Sequence, residues 1–419
     1  MLTEALAMDR KDFAQIRTDQ TRLFRRFHSC FPDKNTRNYL RIYTNGLMSN
    51  LPSKNCEAIA LQAQEPVRSV QWFIAKQQWD HNKMRDKFQK IIAKEHAPVK
   101  DKTGYSVGII DETSFVKKGV KTPGVQRQYC GSRGKKENCI VTVHLAYALD
   151  NFHTLIDQDL FLPESWDQDR ERCHAAGIPD DVVYRPKWEI ALEQYDRATN
   201  NGIVFDWITF DEYYGSKPEF LRQLDTRNQL FIGEVSSAFC AWTKKPRTTM
   251  KPEKQGRKRK KPRLVKGERG TIEVRNMLKY SSVLRDQPWV QYYIKDSDKG
   301  PVIWEIKECL IFIRQESRGM PMDKPFRLIV ARNVMNESEE EIKYFVSNAS
   351  AEEPLDNLLL AAFSRHRVER SFEDTKQKLG LGDYEGRTYT GLIRHLLLSS
   401  LAYYFLQRQW LCLSKKTAN

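Results

Sequence analysis

The chain has 419 residues, which allows two or three domains, and its 40% hydrophobic and 11% aromatic content can fill their cores. Sixty-nine Lys and Arg against 54 Asp and Glu leave a formal charge of +15, a sign that suits a polyanionic partner and by itself leaves DNA, RNA and an acidic membrane surface open. No run of about 18 uninterrupted apolar residues is present to span a bilayer, and the opening MLTEALAMDRKDF has no apolar core of the signal-peptide kind.

Residues 1–100 read as helical. The Cys56–Gln62 stretch and the spacing of Val67, Val70, Phe73 and Ile74 follow a helical period, and a basic helix over Lys83–Lys94 ends the region. This is a candidate DNA-reading module, and an ordinary helical subdomain with a solvated charged face fits equally well. The texture changes at Tyr105. Ser106–Asp111 is a short apolar run ending on an acid, Lys117–Lys136 is a Gly- and Lys-containing hairpin or loop, Asn138–Leu149 is a strand rich in β-branched residues, and Ile156–Leu162 is a third strand. A helix over Lys187–Asn200 leads into a strand, Ile203–Asp211, that again ends on an acid. A helix at Pro218–Leu224 and a strand at Gln229–Val235 follow, so strands alternate with helices in an α/β layer structure. From Thr243 to Arg269, 13 of 27 residues are Lys or Arg, which predicts an exposed loop or linker. Thr271–Val330 alternates in the manner of strands and reads as an inserted β-rich unit. Lys343–Ser347 is a last strand, one helix is expected from Pro354 to Gly380 or Gly382, and a final helix covers Gly391–Gln407.

The eight cysteines and eight histidines are scattered, with no C-x-x-C and no H-E-x-x-H. That pattern fits reduced thiols in a cytosol, and it leaves carboxylates to hold any metal. Asp111 and Asp211 each close a predicted strand, where ligands gather in open α/β sheets. On the late helix, Arg365, Glu369, Phe372 and Lys376 are spaced by 4, 3 and 4 and share a face. Three carboxylates without imidazole or thiolate suit the hard cations Mg²⁺ or Mn²⁺. Two such ions about 3.5–4 Å apart can activate a water or 3′-hydroxyl and stabilise the leaving oxygen of a phosphodiester, while Arg365 and Lys376 neutralise flanking phosphates. On spacing alone, this trio stands level with the plainer reading of capping residues and surface charges. Four other acids compete less well. Glu112 alternates to the opposite face of its strand, Asp206 falls in mid-strand, Glu373 lacks the matching Arg and Lys, and Glu212 points away from its neighbour Asp211.

Arg365-x3-Glu369-x6-Lys376 resembles the R-x3-E-x6-K part of the Tyr-Arg-Glu-Lys element in insertion-sequence transposases of the DDE superfamily. The blocks Tyr344–Ala349, Leu379–Leu381, Tyr384-Glu385, Arg387 and Arg394-His395 are similar to that family's surroundings of the element. Ile110–Gly119 with Arg127–Gly131 resembles its first catalytic block, and Phe210–Gly215 its second. Ala362 stands where the element's Tyr is expected, with Phe363 beside it. The resemblance covers about residues 20–410. It implies that Asp111, Asp211 and Glu369 are the catalytic, metal-holding acids of a ribonuclease H-like domain, a mixed sheet flanked by helices, with two Mg²⁺ or Mn²⁺ ions. The organisation that follows is a helical DNA-binding region at 1–100, the catalytic domain at 101–235 and 336–419, and a basic loop with a β-rich insertion at 236–335.

Beyond the acids, the basic segment 244–269, with Arg257, Lys258, Arg259, Lys260 and Lys261 at its centre, is expected to lie along phosphates and bind without regard to sequence. Lys117, Lys118, Tyr213 and Tyr214 are candidates for DNA near the scissile phosphate. Trp289 and Trp304 could stack on a flipped base, although core packing is the stronger expectation for both. The resemblance implies a bacterial, cytoplasmic, nucleoid-associated enzyme. It would bind the terminal inverted repeats of its element in double-stranded DNA, synapse two ends as a homodimer, and cut and rejoin them. A ribonuclease H-like nuclease without strand transfer and a domesticated, non-catalytic DNA-binding protein are the alternatives.

Overall fold

The computed structural model describes residues 9–97, 104–251, 260–297, 300–317, 319–334 and 341–417. The chain divides into two compact units, the first built from 1–204 and 366–419, the second from 205–365. Among the described residues, unit 1 opens with α1 (Arg10–Arg25), α2 (Lys34–Leu47), α3 (Cys56–Ala63), α4 (Val67–Ala75) and α5 (His81–Glu95). Strands β1 (Ser106–Val116), β2 (Gln126–Cys130), β3 (Lys135–Leu149) and β4 (Phe152–Leu160) follow, then α6 (Glu164–Asp167), α7 (Arg170–Ala175) and α8 (Lys187–Asn200). Unit 2 begins with β5 (Trp207–Phe210), α9 (Glu212–Gly215), α10 (Pro218–Thr226) and β6 (Ile232–Val235). Next come the two-residue strands β7 (Cys240–Ala241), β8 (Thr248–Thr249), β9 (Arg263–Leu264) and β10 (Ile272–Glu273). It continues through α11 (Val274–Tyr280), α12 (Ser282–Arg285), β11 (Val290–Ser297), β12 (Gly300–Ile311), β13 (Phe326–Asn333), β14 (Ile342–Ser347) and α13 (Leu355–Phe363). The chain then returns to unit 1 for α14 (His366–Leu379) and α15 (Tyr389–Thr417).

In unit 1, β3 is the central strand. Antiparallel β1 runs along one edge from Val116↔Cys139 to Ser106↔Leu149, and β4 occupies the other edge over Thr142–Leu149. Below Cys139 only β2 pairs with β3, making a two-stranded ribbon. The sheet is covered on both faces, which is why Cys139–Ala148 is a near-continuous buried run. Helix α8 lies on the face of Asp157 and Asp159. Gln194 donates to Val143 O at 2.9 Å, and Arg197 pairs with Asp157 through Nε at 2.9 Å. Helices α14 and α15 cover the opposite face, where Ser400 Oγ donates to Gln158 at 2.8 Å.

The N-terminal helices belong to this same unit because α15 and β4 bind them with polar groups. The buried Arg394 guanidinium donates to Gln77 O at 2.9 Å and Trp79 O at 2.7 Å and stacks over the Trp79 ring at 4.3 Å. It thereby satisfies carbonyls just beyond the C-terminal end of α4. From α5, Gln89 Nε2 reaches Ile156 O at 3.1 Å and Asp157 at 2.9 Å. Helix α15 begins at Tyr389 and extends past the expected Gln407 to Thr417.

In unit 2 an antiparallel sheet runs in the order β11-β12-β13-β14-β6, and a parallel bridge between Ile208 and Phe231 sets β5 beside β6. Tyr344–Ser347 of β14 pairs with Ile232–Val235 and joins the strands of the β-rich segment to the earlier strand. The alternation read over Thr271–Val330 conceals two helices, α11 and α12, in which Val274, Met277 and Leu284 are the buried residues. Mixed α/β architecture of this kind is compatible with a DDE nuclease domain. Among the described residues no helix is long and apolar enough to cross a membrane.

Candidate active site

Asp111 and Glu369 belong to unit 1 and Asp211 to unit 2. Asp111 lies in the middle of β1, not at its end, because Glu112–Val116 continue the pairing with Cys139–Val143. Its carboxylate is buried, with Oδ1 accepting the Glu112 N–H at 2.7 Å. Alternation puts Asp111, Thr113 and Phe115 on one face of β1, with His144 as the direct cross-strand partner of Asp111.

Helix α14 packs on that face. Phe372 meets the His144 ring edge-on with centroids 5.0 Å apart, and Lys376 Nζ lies 5.5 Å from the Phe115 centroid and 6.0 Å from that of Phe372. Burial lowers the Lys376 pKa, while the Cys130 thiol and the Asp111 carboxylate oppose the shift, so Lys376 and Asp111 are within electrostatic reach. His144 is neutral, its pKa driven to about 3 by burial and then by Lys376. No sequence argument singles it out, because its place opposite Asp111 depends on a register fixed by residues far along the chain. Glu369 is exposed in the first turn of α14, where the helix dipole favours a carboxylate. It is seven residues from Lys376, on the same face.

The single helix expected from Pro354 onward is two. Helix α13 ends at Phe363, the Ser364 hydroxyl donates back to Ala361 O at 2.7 Å, and α14 starts at His366. Such local side-chain bonds compete with helix continuation. Arg365 therefore falls in the break and in unit 2, and the face shared within α14 is Glu369, Phe372 and Lys376. The competing acids are engaged or turned away. Glu112 pairs with Lys187 of α8, Glu373 is exposed and accepts from Gln377 at 3.4 Å, and Glu212 is exposed.

Asp211 does close a strand. It follows β5 and caps α9, with Oδ1 accepting the amides of Tyr213 at 3.0 Å and Tyr214 at 3.4 Å. Tyr213 is half-buried with Lys217 Nζ 5.2 Å from its ring centroid. Tyr214 is fully buried 5.7 Å from Phe220, so the DNA contact expected of it is corrected to a core role. Lys117 is corrected in the same way: its ammonium donates to Gly382 O at 3.1 Å and Tyr384 O at 2.6 Å, tying β1 to the segment after α14. Lys118 is exposed.

Lys260 and Lys261 are exposed, the latter 4.0 Å from Glu316, while Arg257, Lys258 and Arg259 lie outside the described residues. Trp304 is buried against Phe363 as a core residue, and Trp289 is held between Lys307 and Arg332 at 4.8 and 4.4 Å. Among the described residues no three His, Cys, Asp or Glu side chains are gathered as a metal-holding group. The donor set itself is carboxylate oxygen only, the chemistry that hard divalent cations take.

The family profile described as DDE superfamily endonuclease matches residues 26–296, a span that includes Asp111 and Asp211 and stops before Glu369. A protein of Microchaete diplosiphon described as "Probable transposase for insertion sequence element IS701" is 30% identical over 217 residues, covering 50% of this chain and 52% of that protein. The chain thus spans about half the length of this curated relative.

Proposed function

The chain belongs to the DDE superfamily endonucleases, and from that premise we propose that it is a DNA transposase that cuts and rejoins the ends of an insertion sequence. Endonucleases of this superfamily generally work with divalent metal ions. On this reading Asp111, Asp211 and Glu369 hold two Mg²⁺ or Mn²⁺ ions on a ribonuclease H-like domain. When bound, such ions supply Lewis-acid stabilisation of a phosphodiester's attacking and leaving oxygens. The observation that carries the reading is the packing of α14 against the Asp111 face of β1, with Lys376 within electrostatic reach of Asp111 and Glu369 two turns earlier on the same helix face.

The protein's own groups have distinct tasks. Asp211, fixed by two backbone amides, has a defined orientation at the end of β5. Lys376, held in a low-dielectric setting by Phe115 and Phe372, offers a cation to a phosphate oxygen. Arg365, Lys118, Tyr213 and the segment containing Arg257, Lys258, Arg259, Lys260 and Lys261 contact the DNA beyond the scissile bond, the basic segment through salt-dependent phosphate contacts. The helices within 1–100 recognise the terminal inverted repeats, a homodimer brings two ends together, and the enzyme acts at the nucleoid in a bacterial cytoplasm.

Incubation of the full chain with DNA carrying the element ends and Mg²⁺ tests this. Asp111→Asn, Asp211→Asn and Glu369→Gln are each expected to lower cleavage by about 100-fold or more, roughly 2.7 kcal/mol of barrier. Cleavage by any of them at the wild-type rate removes that acid from the site. Cleavage by the wild type with labelled 3′ ends that never join a target plasmid selects a nuclease without strand transfer.

A further inference from the structure

The β2–β3 ribbon carries a feature that the acids do not explain. Its register pairs Arg127 with Asn138 and Tyr129 with Lys136, so these four side chains share one face, while Gln128, Glu137, Cys130 and Lys135 share the other. The second face turns inward. Cys130 is fully buried with its Sγ 3.3 Å from Ser114 Oγ of β1, while at the ribbon's tip Lys135 is exposed and pairs with Glu137 at 3.1 Å. The first face turns out. Arg127 and Lys136 are exposed, and Tyr129 is 64% exposed.

Arg133, in the turn that closes the ribbon, is exposed as well. Asn138 Nδ2 donates to Lys117 O and to Gly119 O at 2.9 Å, which sets the exposed Lys118 beside the ribbon's base. Arg127, Arg133 and Lys136 make no ion pair among the described residues, and this outer face carries no carboxylate; Lys118 lines a cavity shared with Asp383 and Glu385. A large aromatic ring left in water among uncompensated cations is poor design for folding and good design for a polyanion that also offers flat apolar surfaces.

We propose that the outer face of this ribbon binds single-stranded DNA, with Tyr129 stacked on an unpaired base and Arg127, Lys136 and Arg133 on the flanking phosphates. The proposal rests on the reading that the substrate is DNA and adds which form of it this face takes. In a duplex the base faces are stacked on one another, so a duplex engages the cations and leaves the ring without a partner. An unpaired base engages both. Ser114, against which the ribbon's inner face lies, is three residues along β1 from Asp111. By alternation Ser114 is on the face of β1 opposite Asp111, so a strand held here passes near the acid's own strand on its other side.

The full-length protein is titrated, with a chelator in place of divalent metal, into a fluorescein-labelled oligothymidylate of about 20 nucleotides and into a duplex of similar length, followed by anisotropy. Tyr129→Ala is expected to weaken oligothymidylate binding by about 5- to 150-fold and to leave duplex binding within about 2-fold, while Tyr129→Phe behaves as wild type. Arg127→Gln combined with Lys136→Gln is expected to reduce the slope of log K against log salt on the single strand by about 1.4. Because the ring is exposed, Tyr129→Ala should melt with the wild type, so loss of binding is not loss of fold. Unchanged oligothymidylate affinity in Tyr129→Ala, or an equal loss on both probes, overturns the proposal while the DNA reading stands. A wild-type protein that binds neither probe overturns both.

Discussion

Asp211 accepts the amides of Tyr213 and Tyr214, so a substitution there tests two things that can be separated. Asparagine caps a helix about as well as aspartate, whereas alanine forfeits about 1 kcal/mol. Asp211→Asn should therefore unfold in urea at the wild-type midpoint and still lose metal-dependent cleavage, and Asp211→Ala should lose cleavage and show a lower midpoint as well. An Asp211→Asn enzyme that cuts normally would reduce this carboxylate to a cap. The contrast with Asp111 shows what is legible at this scale. The end of β5 and the cap that follows are local, written in Trp207–Gly215, and the sequence states them. The continuation of β1 beyond Asp111 depends on pairing with Cys139–Val143, which no local pattern reveals. Lys117 and Tyr214 misled for a similar reason: a Lys in a loop and a Tyr beside an acid look available until distant carbonyls and Phe220 claim them.

At the scale of elements, Asp157 joins three of them. Its carboxylate on β4 is fully buried and receives Gln89 from α5 at 2.9 Å and Arg197 from α8 at 2.9 and 3.1 Å. Removing one partner of a buried pair strands the other charge, at a cost of about 3–5 kcal/mol. Asp157→Ala is thus expected to lower stability by that amount in urea unfolding, with α5 loosened first in hydrogen exchange. A change below about 1 kcal/mol would mean that Arg197 finds Asp159 or water sufficient. Local sequence pattern places α5 and α8 closely, at Lys83–Lys94 and Lys187–Asn200. The break at Ser364 escaped it, since hydrophobic spacing runs through Leu355–Leu379 without interruption and the stop is made by a hydroxyl returning to Ala361 O. Helices α11 and α12 escaped because seven- and four-residue helices are too short to establish a period.

Over the whole molecule the titratable imidazoles are distributed unevenly. All eight histidines fall within 1–204 or 366–419, and unit 2 has none. Burial drives His81, His96, His153 and His395 to about 4. His395 shows why the neutral form is required: Nε2 donates to Gly380 O at 2.9 Å, so Nδ1 must accept from the Tyr43 hydroxyl at 2.9 Å. A proton on Nδ1 removes that acceptor, buries a charge and places a second cation near Lys117, against which Asp383 and the carbonyls of Gly380 and Leu381 give partial support. The folded pKa lies below the unfolded value of about 6.5, so the unfolded chain takes up the proton first. Stability is therefore full above about pH 6.5 and falls as the pH drops from there toward about 4, by up to roughly 3 kcal/mol for the fully buried His395 alone. Hydrogen exchange, corrected for its intrinsic pH dependence, should show unit 1 losing protection between about pH 7.5 and about pH 5 while unit 2 keeps its own. His395→Gln, whose amide can also bridge a carbonyl and a hydroxyl, should flatten part of that loss. Equal loss in both units would assign acid sensitivity to carboxylates and not to these imidazoles.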